Sequence, residues 1–89
     1  MSWTYDFTRR ARDELAELDK VVRERIKKYL KWLIELPNPK LRGKQLKGDL
    51  SEFWRYTVGD YRIVCSIEED KLLVLVVKIG HRKEVYKWR

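Results

Sequence analysis

The sequence predicts an α+β domain: an N-terminal strand, a helical hairpin and a three-stranded antiparallel meander, with the helices packed on one face of a four-stranded sheet. Three observations predict it. Apolar residues recur every three or four positions between Ala11 and Ile34, strand-like runs follow from Glu52 to Ile79, and Gly59-Asp60 falls between two of those runs. The 89 residues supply apolar material for one core, so the chain is expected to form a single domain over residues 1–89.

Trp3, Tyr5 and Phe7 alternate with Thr4 and Asp6, the period of a strand with one buried face, over residues 2–7. Thr8 can cap the helix that follows, whose stripe is Ala11, Leu15 and Leu18 and which is expected to end near Asp19. From Lys20 the pattern restarts with Val22, Ile26, Tyr29, Leu30, Leu33 and Ile34 on one face, until Pro37 and Pro39 stop it. Asn38 to Ser51, with Gly43 and Gly48, reads as a basic connecting loop. Three strands are expected after it: Glu52 to Val58, Tyr61 to Ile67 and Leu72 to Ile79. Gly59-Asp60 joins the first two in two residues, a primed hairpin turn in which glycine supplies the positive φ.

Charge narrows the function. Lys and Arg number 21 against 14 Asp and Glu, leaving +7. Residues 40–55 contribute +3 and residues 78–89 contribute +4, so two separated segments hold the whole excess. Brought together, they would form a surface for a polyanion. Cys65 is the only cysteine, which rules out an intrachain disulfide and fits a reducing, cytoplasmic setting. No apolar stretch is long enough for a membrane span, and the first residues lack the continuous apolar core of a signal peptide, so the protein is expected to stay where it is made. No Asp/Glu/His cluster has metal-ligand spacing, and no metal or cofactor is expected.

The two-residue hairpin sets a register: Val58 opposite Tyr61, Thr57 opposite Arg62, Tyr56 opposite Ile63, Arg55 opposite Val64. Trp54, Tyr56, Val58, Tyr61, Ile63, Cys65 and Ile67 then face the helices, which gives Cys65 a packing role. Arg55 and Arg62 become diagonal neighbours on the other side, where an anion such as phosphate would relieve their repulsion. The alternative for each is a nearby carboxylate: Glu52, Asp49 or Glu84. Beyond Gly80, the run His81-Arg82-Lys83-Glu84-Val85-Tyr86 puts an imidazole, a guanidinium and a phenol within six positions, the best candidate for chemistry. His81 is read either as a proton-transfer group or as a surface residue closing a strand.

This order of elements resembles the RelE branch of the RelE/ParE toxin superfamily. The resemblance rests on Phe53-Trp54-Arg55-Tyr56, Gly59-Asp60-Tyr61-Arg62-Ile63-Val64 and Gly80-His81-Arg82-Lys83-Glu84-Val85-Tyr86. It implies a toxin that cleaves messenger RNA in the ribosomal A site and is silenced by a small antitoxin protein. By position, Arg62 and Arg82 resemble the family's phosphate-contacting, transition-state-stabilising arginines, and Tyr86 its functional tyrosine. Arg55 stands where some members carry a catalytic lysine, and Phe53 occupies the neighbouring lysine position. Because an arginine does not readily release its proton, that departure leaves the general base unassigned. Arg55, Arg62 and Arg82 suit charge stabilisation, while His81 and Tyr86 are the proton-transfer candidates. Lys44, Lys47, Lys78 and Lys83 are expected to contact RNA phosphates. The chain ends at Arg89, so the C-terminal helix of some relatives is expected to be absent or vestigial. Two other readings are a ParE-like toxin that binds DNA gyrase without cutting RNA, and a noncatalytic RNA-binding module.

Overall fold

The computed structural model describes residues 2–84. The strands are β1 Thr4–Phe7, β2 Lys44–Gln45, β3 Phe53–Val58, β4 Tyr61–Glu68 and β5 Leu73–His81; the helices are α1 Arg9–Ala16 and α2 Lys20–Leu33. They form one five-stranded sheet in the order β1-β5-β4-β3-β2, parallel between β1 and β5 and antiparallel elsewhere. The α+β class stands, with a fifth strand added. β2 is only two residues long and lies in the stretch read as a loop, where no alternation could reveal it.

Local chemistry explains the elements. Thr8 Oγ1 accepts the Ala11 amide at 3.2 Å, capping α1. The buried stripe of α1 is Ala11 and Leu15, and that of α2 is Ile26, Leu30 and Leu33. Both lie on Tyr56, Val58, Ile63, Cys65, Val74, Val76 and Ile79, so the core fills one side of the sheet. Cys65 is wholly buried there, and burial pushes its thiol well above the ordinary range, which keeps it protonated and a packing group.

The β3–β4 hairpin has the expected register throughout. Gly59 has φ +58° and Asp60 has no positive φ, the pattern of a type II′ turn. At the start of β5, Leu72 is left-handed (φ 50°) and caps the short 3-10 turn Glu69–Lys71, so the strand begins one residue later than expected.

β5 also carries an irregularity. Val64 pairs with Lys78 while Cys65 pairs with Val76, leaving Val77 as an extra residue, a β-bulge. One inserted residue inverts the alternation beyond it. Val74 and Val76 face the helices before the bulge; Ile79 and His81 do so after it.

Candidate functional site

The site begins with the connection into β2. Tyr56 is buried, and its hydroxyl donates to Pro39 O at 2.9 Å. Gly43 passes directly over the same ring, where a Cβ would lie 2.8 Å from Tyr56 Cζ. Desolvation raises the Tyr56 phenol far above its ordinary pKa, so it remains a donor. These contacts hold the 39–43 segment on β3 and deliver Lys44 opposite Arg55 and Gln45 opposite Trp54. Gln45 Nε2 donates to Ser51 O at 2.7 Å, and Leu46 N donates to Phe53 O, closing the connection on the other side.

Alternation then sorts the charges. Arg55 points away from the helices, because Tyr56 on one side and Trp54 on the other face the core. Its partner Lys44 shares that face, and the two line a groove of about 250 Å³ with Gln45, Leu46 and Lys47. Val64 continues the row on β4. In the next row Thr57 pairs with Arg62, and Arg62 with Gly80. The Thr57–Arg62–Gly80 row carries no carboxylate. Arg62 Nη1 donates to the carbonyls of Gly59 and Tyr61, each at 3.2 Å, so the guanidinium lies against the hairpin turn. Among the described residues Arg62 has no ion pair.

Arg82 extends the ladder past β5: its amide donates to Asp60 O at 2.8 Å, the step after the Tyr61–His81 pair. Because the bulge has shifted the phase, Arg82 falls on the Arg62 side. Lys44, Arg55, Arg62 and Arg82 thus form a diagonal of cations over β2, β3, β4 and the end of β5, roughly 15 Å wide at about 5 Å per strand.

Two expected residues fall elsewhere. His81 pairs with Tyr61 on the helix side, its ring edge-on to the phenol at 5.7 Å. It lines a cleft of about 330 Å³ whose other walls include Glu14, Glu17 and Leu18. It does not share a face with Arg62. Lys78, expected to contact RNA, is bound to the Glu14 carboxylate and its side chain is only 15% exposed. The same carboxylate accepts the Ile79 amide at 2.9 Å, closing the β5 edge that β1 leaves uncovered. Lys47 and Lys83 are exposed. Tyr86, Val85 and Trp88 lie outside the described residues.

A second cationic surface escapes the segment-by-segment charge reading. α2 carries Lys20, Arg23, Arg25, Lys27, Lys28 and Lys31 against Glu24, a surplus masked in the sequence sum by acidic residues of other elements. Arg23 is partly removed from it, since Nη1 donates to Leu18 O at 2.5 Å. Among the described residues no three His, Cys, Asp or Glu side chains gather as a metal site, and no helix is long and apolar enough to cross a membrane.

The chain is a two-helix, five-stranded α+β domain with basic side chains aligned across the sheet face turned away from the helices. It belongs to the ParE toxin family of type II toxin–antitoxin systems: the model of that family, described as the ParE toxin of parDE, matches residues 5–86. The chain is 31% identical over 90 residues to the mRNA interferase toxin RelE of Escherichia coli K12, covering 97% of this chain and 92% of that protein. Among solved structures it resembles free E. coli toxin RelE, studied as a double arginine-to-alanine mutant, with a TM-score of 0.76 and 30% identity over 98% of this chain and 93% of that one. The toxin in the Mycobacterium tuberculosis RelBE2 toxin–antitoxin complex matches with a TM-score of 0.83 over 92% of this chain and 100% of that one; at 24% identity it supports the fold. The RelE/ParE resemblance of the sequence is thereby borne out.

Proposed function

We propose that this chain is the toxin of a type II toxin–antitoxin pair and acts as an mRNA interferase, an endoribonuclease that cuts messenger RNA in the ribosomal A site. The observation that supports the reading is the alignment of Lys44, Arg55, Arg62 and Arg82 along the sheet face turned away from the helices, with no carboxylate in the Thr57–Arg62–Gly80 row. The relatives named as mRNA interferases support it.

Cleavage by this route needs no external nucleophile. The 2′-hydroxyl oxygen attacks the adjacent phosphorus, its proton passes to a base, the bond from phosphorus to the 5′-oxygen breaks, and that oxygen takes up a proton. The products are a 2′,3′-cyclic phosphate and a 5′-hydroxyl. Charge accumulates on the phosphorane, where fixed guanidinium groups act most strongly. Arg62 and Arg82 fill that role, with Arg55 beside them. Guanidinium groups do not exchange protons at ordinary pH, so proton transfer falls to amine or phenol groups. Lys44, which pairs across the strands with Arg55 and lines a groove with it and Lys47, is the amine assigned to it on this face, and Tyr86 is the phenol. Lys47 and Lys83 contact phosphates and steer the approach of RNA. The cognate partner is a small antitoxin protein, as in the RelBE complexes whose toxins share this fold.

The test adds purified protein to translating ribosomes and maps the 5′ ends of the messenger. Cuts confined to A-site codons are expected, with ends that match a cyclic or 3′-phosphate product. Intact messenger together with gyrase-dependent DNA breaks would transfer the assignment to a gyrase-directed toxin.

A further inference from the structure

We infer that His81 is a positioning residue for Arg82: its imidazole accepts a backbone hydrogen bond that shapes the turn carrying the arginine, and it does not itself transfer protons to RNA. The inference rests on the nuclease reading, in which Arg82 contacts the scissile phosphate.

The geometry is specific. The Lys83 amide donates to His81 Nδ1 at 3.2 Å, a side chain accepting from the backbone two residues on, as Asn and Asp do in Asx turns. The Glu84 amide donates to His81 O at 2.8 Å, closing the same turn from the backbone side. Arg82 lies between these bonds, tied to the neighbouring strand through its own amide and Asp60 O at 2.8 Å. His81 therefore controls the conformation from Arg82 to Glu84 while lying on the opposite side of the sheet from Arg62. Tyr61, edge-on at an interplanar angle of 79°, restricts the plane of the ring.

The acceptor role has a direct consequence. A nitrogen that accepts the Lys83 N–H carries its lone pair there, which in the neutral ring leaves the proton on Nε2. A protonated ring has a donor at both nitrogens, and the bond to Lys83 is lost. Among the described residues, the charged and titratable groups that line the cleft with His81 are Glu14 and Glu17 from α1, Tyr61 from β4, Lys78 from β5 and Glu84 from the turn.

Two readouts on wild type, His81→Asn, His81→Gln and His81→Ala test this. Asparagine places an acceptor where Nδ1 stands; glutamine approximates Nε2. Amide hydrogen exchange at Lys83, read by NMR, reports on the turn whether or not the protein cuts RNA, which separates failure of this inference from failure of the nuclease assignment. Protection of Lys83 is expected to drop about five-fold in H81A and H81Q and to remain in H81N. Messenger cleavage is expected to fall about three- to ten-fold in H81A and to return in H81N. Unchanged Lys83 exchange in H81A, or H81N as impaired in cleavage as H81A, would overturn the proposal. Rescue by glutamine but not asparagine would do the same, since it would assign the function to Nε2.

Discussion

The β5 edge and the interior of the β3–β4 hairpin treat charge in opposite ways. Where α1 meets the β5 edge, Lys78 meets Glu14, which also takes the Ile79 amide and lies 3.6 Å from Arg10 Nε, so that ammonium has its counter-ion within the fold. On the face turned away from the helices, Arg62 bonds the backbone carbonyls of its own hairpin and, among the described residues, forms no ion pair. A cation satisfied by its own protein belongs to architecture; a cation held in place without a counter-ion is available to a ligand. The two are separated by position along the sheet: Lys78 lies at the β5 edge within reach of α1, whereas Arg62 lies on β4, and the extra residue at Val77 sets the face of the residues beyond it.

The contrast predicts that charges removed from the face that carries Arg62 cost activity, and charges removed from the Lys78–Glu14 pair cost stability. The largest effect is expected for Arg62→Ala or Arg82→Ala, each lowering single-turnover messenger cleavage by about 10²–10³, the usual cost of losing one preorganised charge-stabilising group. Urea denaturation of either variant should stay within about 0.5 kcal/mol of wild type, as for other surface substitutions. Lys44→Ala should slow cleavage about 10²-fold, the lower part of the range for a lost acid–base group. Lys44→Arg keeps the charge but not the exchangeable proton, so it should not restore the rate; full activity in that variant would return Lys44 to phosphate binding.

At the β5 edge, Glu14→Ala strands the Lys78 ammonium and the Ile79 amide and should destabilise the fold by about 1–3 kcal/mol in chemical denaturation. Cleavage per folded molecule should be little changed, and a selective loss of cleavage at unchanged stability would break the comparison. Gly43→Ala pushes a methyl into the Tyr56 ring, an overpacking expected to cost about 1–3 kcal/mol and to loosen the presentation of Lys44. Thermal melts and cleavage rates of that variant should fall together.

Much of this arrangement is legible in the chain, for identifiable reasons. The Gly59-Asp60 loop has two residues, so the hairpin register and the shared face of Arg55 and Arg62 follow from counting, as does the burial of Cys65 on the other face. Thr8 reads as a cap because it directly precedes a helical stripe, and it caps in the structure. β2 is hidden because two residues carry no period, and its place depends on the contact of Gly43 and Pro39 with Tyr56, a tertiary event. The bulge is hidden because Leu73 to Val77 are all apolar, and a run without polar residues cannot show where alternation slips. The face taken by His81 therefore could not be read from spacing, nor could the capture of Lys78 by a carboxylate 64 residues away.

The convergence of Arg62 and Arg82 on one phosphate is tested most directly by single-turnover cleavage of ribosome-bound messenger with R62A, R82A and the double variant. Groups that act on the same transition state are strongly non-additive, so the double variant should be only slightly slower than the worse single one. Single variants that cut at the wild-type rate, or losses that multiply in full, would contradict a shared site.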